Sequence, residues 1–213
     1  MTTLLFVRHG FSTSNEDGTL TGQLDVPLTE LGVLQGEAAC RYIDEHYTPD
    51  AIYSSDLLRA VDTVRPLAAR TGLPIRTTPA LREMHCGIWE GEAVTRLKET
   101  YGEHYERWAN VSDEATPDGG ESWSETARRA YEEVLRIVKE NDGKTVVIAT
   151  HGGTLRALRG AYLGLPLADW KEKLPFAPNA SLTVTVVEDG CFSEKAIIDG
   201  YLGTNKTEMP KGI

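Results

Sequence analysis

The chain has 213 residues, 40% of them hydrophobic, and a formal charge of −10. That is enough for one substantial core and fits a single domain over residues 1–213, while the negative charge disfavours nucleic acid or an anionic membrane as partner, so an anionic ligand needs a local basic pocket. Cys40, Cys86 and Cys191 show no C-x-x-C spacing, and the apolar stretch 4–7 is too short for a leader or membrane span, so the expectation is a cytoplasmic chain with reduced thiols.

Residues 2–7 (T-T-L-L-F-V) are apolar and β-prone and end at Arg8-His9-Gly10, which predicts a buried strand with His9 at its carboxyl end. A polar, glycine-bearing loop then runs to Pro27, and Thr29 with Glu30 opens a helix through Tyr47. Residues 50–53 read as a second strand. Ser54-Ser55-Asp56 can cap the helix that follows over 57–71. A short strand at 75–77 leads into an irregular stretch, 81–91, rich in reactive side chains. Helical composition covers 92–108 and 121–141, the second with Glu121 in its first turn, separated by the loop Thr116-Pro117-Asp118-Gly119-Gly120. Residues 145–150 (T-V-V-I-A-T) are the clearest buried strand and run into His151-Gly152-Gly153 and a helix over 155–163. A hairpin over 181–187 and 195–199 closes the chain, and the polar tail from 203 onward is expected to be poorly ordered. The alternation predicts an α/β sandwich with a largely parallel sheet whose functional groups gather at the carboxyl ends of strands. No heptad repeat or apolar stripe points to an oligomeric state.

His9 and His151 each follow one of the two most strand-like segments, and each has a glycine beside it. One histidine at a strand end is commonly structural; two delivered to one sheet edge favour a site. Arg8 and Arg59 supply planar, permanently charged donors suited to phosphate oxygens, although an arginine on an amphipathic helix is as readily a solvated charge. Gly152 and Gly153 let backbone approach a ligand, and the helix start behind them offers N–H groups to an anion; the alternative is close strand-to-helix packing.

Five ordered pieces now bear on family: L-L-F-V-R-H-G-F-S-T-S-N (4–15), L-T-G-Q-L-D-V-P-L-T-E-L-G (20–32), Y-S-S-D-L-L-R-A-V-D-T (53–63), L-R-E-M-H-C-G-I-W-E-G (81–91) and T-H-G-G-T-L-R (150–156). Together they resemble the histidine phosphatase superfamily, in its phosphoglycerate mutase-like branch. The resemblance implies a three-layer α/β/α sandwich with a mostly parallel mixed sheet. It further implies that His9 attacks phosphorus through a ring nitrogen, that Arg8, Arg59 and His151 hold the phosphoryl oxygens, with Gly152 beside them, and that Glu83 donates the proton. Asn15 matches a phosphate-contacting position, and Thr21-Gly22 falls where the family's loop approaches the substrate. No metal or cofactor is implied, except 2,3-bisphosphoglycerate if the chain is a mutase.

Three departures matter. Phe11 stands where the family often has an acidic or amide residue, Gly153 where mutases typically have Asn, and the stretch 92–121 lacks the longer basic insertion with which mutases hold a bisphosphorylated intermediate. These favour metal-independent phosphomonoester hydrolysis on a small phosphorylated metabolite, with a cofactor-dependent phosphoglycerate mutase as the alternative and a non-catalytic phosphoprotein-binding module behind it. A metal centre built from His9, His151, Glu83 and Asp56 competes on mechanism, but the sequence has no H-E-x-x-H pair and Arg8 would crowd the ion. Phe11, Met84, His85, Trp89 and Trp108 either line the region beyond the phosphate or belong to the core.

Overall fold

Residues Thr2–Arg8 form β1, buried on both faces of a sheet. The structure is a computed structural model that describes residues 1–200; the tail expected to be poorly ordered lies outside the described residues. After β1 come α1 (Thr13–Asp17), α2 (Glu30–His46), β2 (Ala51–Ser55), α3 (Leu58–Thr71), β3 (Ile75–Thr78), α4 (Val94–Tyr101), α5 (Glu103–Ala109) and α6 (Trp123–Glu140). Then follow β4 (Thr145–Thr150), α7 (Gly152–Tyr162), α8 (Trp170–Lys173), β5 (Leu182–Glu188) and β6 (Cys191–Ile198).

The sheet order is β3-β2-β4-β1-β5-β6. The first four strands run parallel, β5 pairs antiparallel with β1 and β6 antiparallel with β5, so only β5 runs against the rest of a mixed and mostly parallel sheet. The two-residue period of β1 builds the layers. Leu5 and Val7 pack with Cys40 and Ile43 of α2 and Val64 and Leu67 of α3, whereas Leu4 and Phe6 pack with Val134 and Ile137 of α6 and Leu155 and Leu158 of α7. Helices therefore cover both faces, the expected α/β/α sandwich, and each fully buried Leu or Phe contributes about 2 kcal/mol of transfer free energy. A third cluster, centred on Trp89, Tyr105, Trp108 and Trp123, packs where α4, α5 and the start of α6 meet.

Local details differ from the sequence reading. The polar loop after His9 contains α1, a single turn closed by a capping box in which Ser12 and Asn15 bond each other's backbone N–H groups. α8 is a second short turn that composition did not signal. The helix expected over 92–108 is two helices broken at Gly102, whose φ of 47° and ψ of −117° no helix accommodates. α6 begins at Trp123 behind the cap Ser122, so Glu121 precedes the helix and is free for another task. α7 begins at Gly152 and β6 at Cys191, both earlier than expected. Asp56 does not cap α3: its carboxylate pairs with Arg82 at 2.6 Å, and the Leu58 N–H donates to Asp25 at 2.7 Å.

Candidate active site

The parallel register sets Arg8 of β1 against Thr150 of β4, so the next residues, His9 and His151, leave the sheet side by side. Their ring centroids lie 5.1 Å apart. The His9 ring places Nδ1 2.7 Å from the Gly10 carbonyl oxygen. A carbonyl only accepts, so Nδ1 carries the hydrogen, and the neutral ring holds its lone pair on Nε2. Burial, reinforced by the charges of Arg59 and Arg8, holds the His9 pKa well below the ordinary imidazole value. Nε2 is thus an unprotonated nitrogen in a positive surrounding.

His151 is fully buried behind its neighbour, and burial first, then Arg59 and His9, drives its pKa down as well. Ser55 ends β2 next to β4, and its hydroxyl lies 2.8 Å from His151 Nε2 while accepting the Leu57 N–H at 3.2 Å. Giving that buried hydroxyl proton an acceptor makes Ser55 donate to Nε2 and His151 Nδ1 an N–H donor, a buried atom with no hydrogen-bond partner among the described residues.

Arg8 and Arg59 flank the histidines, both buried. Burial is the main cause that lowers the Arg8 pKa to about 10, partly offset by Glu83. Arg8 Nη1 donates to the Ala177 carbonyl at 2.6 Å. Arg59, in the first turn of α3, donates from Nη1 to Leu24 O at 2.7 Å and from Nη2 to Gly22 O at 2.8 Å, which pins the loop 21–25 over the site. Gly22 has a φ of 52°, and a Cβ there would lie 2.1 Å from Glu90 Oε1, so glycine alone fits this turn. Glu90 Oε1 holds the same loop through the Gln23 N–H at 2.8 Å.

Glu83 occupies the place that the sequence reading gave to an anion. The N–H groups of Gly153 and Thr154, at the start of α7, donate to Glu83 Oε2 at 3.1 Å and Oε1 at 2.9 Å. This corrects the expectation that these N–H groups hold phosphate: in this structure they hold the carboxylate. A Cβ on Gly153 would lie 2.7 Å from Glu83 Oε1, which accounts for glycine there. Oε1 also accepts the Met84 N–H at 2.9 Å, and the Thr154 hydroxyl lies 3.1 Å from it while donating its hydrogen to the nearer Arg82 O at 2.7 Å. Among the described residues Oε2 accepts one hydrogen bond, the 3.1 Å one from Gly153.

Of the two histidines, the two arginines and Glu83, all but His151, which is fully buried and not part of the lining, meet in a cavity of about 260 Å³. Arg8, His9, Arg59, Glu83 and Gly152 are in its lining, together with Asn15, Thr21 and Gly22. The Asn15 carboxamide oxygen accepts from Ser12 and from Asn179 Nδ2, which fixes the amide's orientation. Beyond them, Phe11, Leu20, Met84, Trp108, Trp123 and Phe176 make an apolar wall, with Asp17 and Lys98 as charged groups. His85 and Trp89 are not part of the lining: His85 faces Glu90 at 3.8 Å, and Trp89 is core, ringed by Tyr101, His104, Tyr105 and Trp108.

Two histidines at adjacent parallel strand ends, two arginines and a carboxylate on a helix N-terminus form one constellation, and the sequence model of the histidine phosphatase superfamily (branch 1) matches residues 4–199. The chain belongs to that superfamily. This histidine phosphatase is 34% identical over 206 residues to a metal-independent phosphoserine phosphatase of Arabidopsis thaliana, covering 94% of this chain and 81% of the relative. It is 36% identical over 175 residues to a glucosyl-3-phosphoglycerate phosphatase of Mycobacterium tuberculosis, covering 78% of each chain. A solved mycobacterial glucosyl-3-phosphoglycerate phosphatase complexed with VO3 superposes with a TM-score of 0.84 at 34% identity, covering 91% of this chain and 96% of that one. The protein is an enzyme of the phosphatase type, acting through a phosphohistidine, and the mutase alternative is the less supported.

Sequence reasoning did not find Lys98, Trp123, Phe176 or Asn179, which reach the site from α4, α6 and the segment before β5. No local motif marks them. Asp56, counted among possible metal ligands, is paired with Arg82, and among the described residues no group of three His, Cys, Asp or Glu side chains is placed to hold a metal ion. None of the described helices is long and apolar enough to cross a membrane.

Proposed function

We propose that His9 Nε2 takes the phosphoryl group and that Glu83 Oε2 carries the proton, in metal-independent hydrolysis of a small phosphate ester without a cofactor. The observation that carries this reading is the 2.7 Å bond from His9 Nδ1 to Gly10 O, which leaves Nε2 unprotonated on a residue that lines the cavity together with Arg8 and Arg59. Attack of Nε2 on phosphorus breaks the ester P–O bond, and the proton on Glu83 goes to the leaving oxygen. Water then attacks the phosphorus of the phosphohistidine, Glu83 takes its proton, and the P–N bond breaks to return Nε2. Arg8, Arg59 and His151 Nδ1–H neutralise the charge on the equatorial oxygens, with Asn15 and the backbone at Thr21, Gly22 and Gly152 around them.

The remainder of the substrate is proposed to bear a carboxylate. Phosphoserine and glucosyl-3-phosphoglycerate, which name the two relatives, both carry one near the phosphorylated carbon. Lys98, half-buried in the cavity wall with its Nζ 6.0 Å from the Tyr105 ring centre, forms no ion pair among the described residues and is the cation available to it. Phosphorus NMR of the purified protein with a panel of phosphomonoesters in chelator tests this. Free phosphate from carboxylated esters, in preference to uncarboxylated ones, is expected; 2,3-bisphosphoglycerate-dependent isomerisation without free phosphate would overturn it.

A further inference from the structure

Arg129 of α6 sits behind the proposed acid and makes five hydrogen bonds. Nε and Nη2 grip the Glu121 carboxylate at 2.6 and 2.8 Å, a bidentate pair. The other N–H groups reach into the irregular segment that carries Glu83. Nη1 donates to Ala80 O and Arg82 O, and Nη2 to Glu83 O, all at 2.9 Å. Glu121 in turn accepts the His85 N–H at 2.9 Å. From residue 79 to 91 the chain makes only short 3-10 turns and no strand, so its carbonyls lack sheet partners and need donors from elsewhere.

Glu83 is therefore pinned at both ends, its carboxylate on the start of α7 and its carbonyl by Arg129 on α6. Gln23 Nε2 adds a second donor to Glu83 O at 3.0 Å. We propose that Arg129, held in plane by Glu121, is a positioning residue that sets Glu83 for proton transfer. The proposal rests on the assignment of Glu83 as the acid. A lysine cannot replace the fork, because one ammonium does not span three carbonyls and a carboxylate. An ångström of drift in the acid costs on the order of 100-fold in rate.

The test is kcat/KM, which reports transfer to His9, for an alkyl phosphate and for 2,4-dinitrophenyl phosphate, whose leaving group needs no proton. Arg129→Lys is expected to lower the alkyl value by roughly 30- to 100-fold and the dinitrophenyl value by less than about 3-fold. In the Glu83→Gln background the same change should cost nothing further that depends on leaving group. Equal losses on both esters, no loss, or a loss undiminished in Glu83→Gln would overturn the proposal. If Arg129→Lys does not fold, Glu121→Gln, which keeps the arginine and removes its partner's charge, carries the same comparison. Glu83→Gln alone separates the two assignments. Without leaving-group dependence in that variant, the acid role falls and the positioning role with it; with it, and none in Arg129→Lys, only the positioning role falls.

Discussion

The His9 and His151 rings lie 5.1 Å apart at an interplanar angle of 56°, both buried among arginines. Neither ring can be charged in that place without strong opposition. Because both folded-state pKa values lie below the unfolded value of about 6.5, the unfolded chain binds more protons as pH falls. Stability is accordingly full above that value and is lost below it, at up to about 2.7 kcal/mol per pH unit for the two sites. Urea midpoints in phosphate-free buffer between pH 7 and 5 should fall, and His9→Gln should roughly halve the histidine part of the slope. An unchanged slope in that variant would show that His9 is not held neutral.

Lys98→Met should raise KM on the order of tenfold for a carboxylated phosphomonoester and leave p-nitrophenyl phosphate nearly unaffected, since the wall keeps its apolar contacts. Steady-state kinetics on the two substrates decide it. Parallel changes would mean that Lys98 shapes the cavity without reading the carboxylate.

Gly153→Ala places a methyl group 2.7 Å from Glu83 Oε1 while leaving the histidines and arginines untouched. The carboxylate must move, and kcat/KM on alkyl phosphates should drop on the order of 100-fold with phosphate affinity preserved. Product-inhibition constants for inorganic phosphate, measured beside the rate, separate a displaced acid from a damaged phosphate site.

Away from the site, Arg159 of α7 is 5% exposed and pairs with Glu194 of β6 at 2.6 Å, and the Tyr162 hydroxyl donates to the same carboxylate at 2.5 Å. Glu194→Ala leaves the guanidinium buried without its counter-charge, and the loss should be about 3 kcal/mol. Denaturant midpoints measure this. Turnover at a temperature where the variant is folded should be unaffected, because the pair touches no group in the cavity.

Strand ends were the legible part of this site. T-V-V-I-A-T followed by His151, and L-L-F-V-R followed by His9, declare two buried strands that a parallel sheet must bring together, and register does the rest. Ordered motifs supplied Arg59 and Glu83. What composition could not show is how the irregular segments close over the edge. The glycine-flanked start of α7 signals an anion site, and the anion found there is the chain's own Glu83. Arg129 and Glu121 lie far from residue 83 in sequence, Arg129 on a helix whose periodicity only says that one face is buried and Glu121 just ahead of it, and Lys98 sits on α4, which the break at Gly102 splits from α5.

Rapid quenching of the enzyme into base during turnover of a phosphomonoester in chelator, followed by phosphorus NMR and peptide mapping, tests the central claim most directly. One phosphoryl group per chain, on the Nε2 of His9, stable in base, labile in acid and missing from His9→Ala together with turnover, is the predicted result. A His9→Ala protein that still releases phosphate at a substantial rate, or a wild-type enzyme phosphorylated elsewhere, would contradict it.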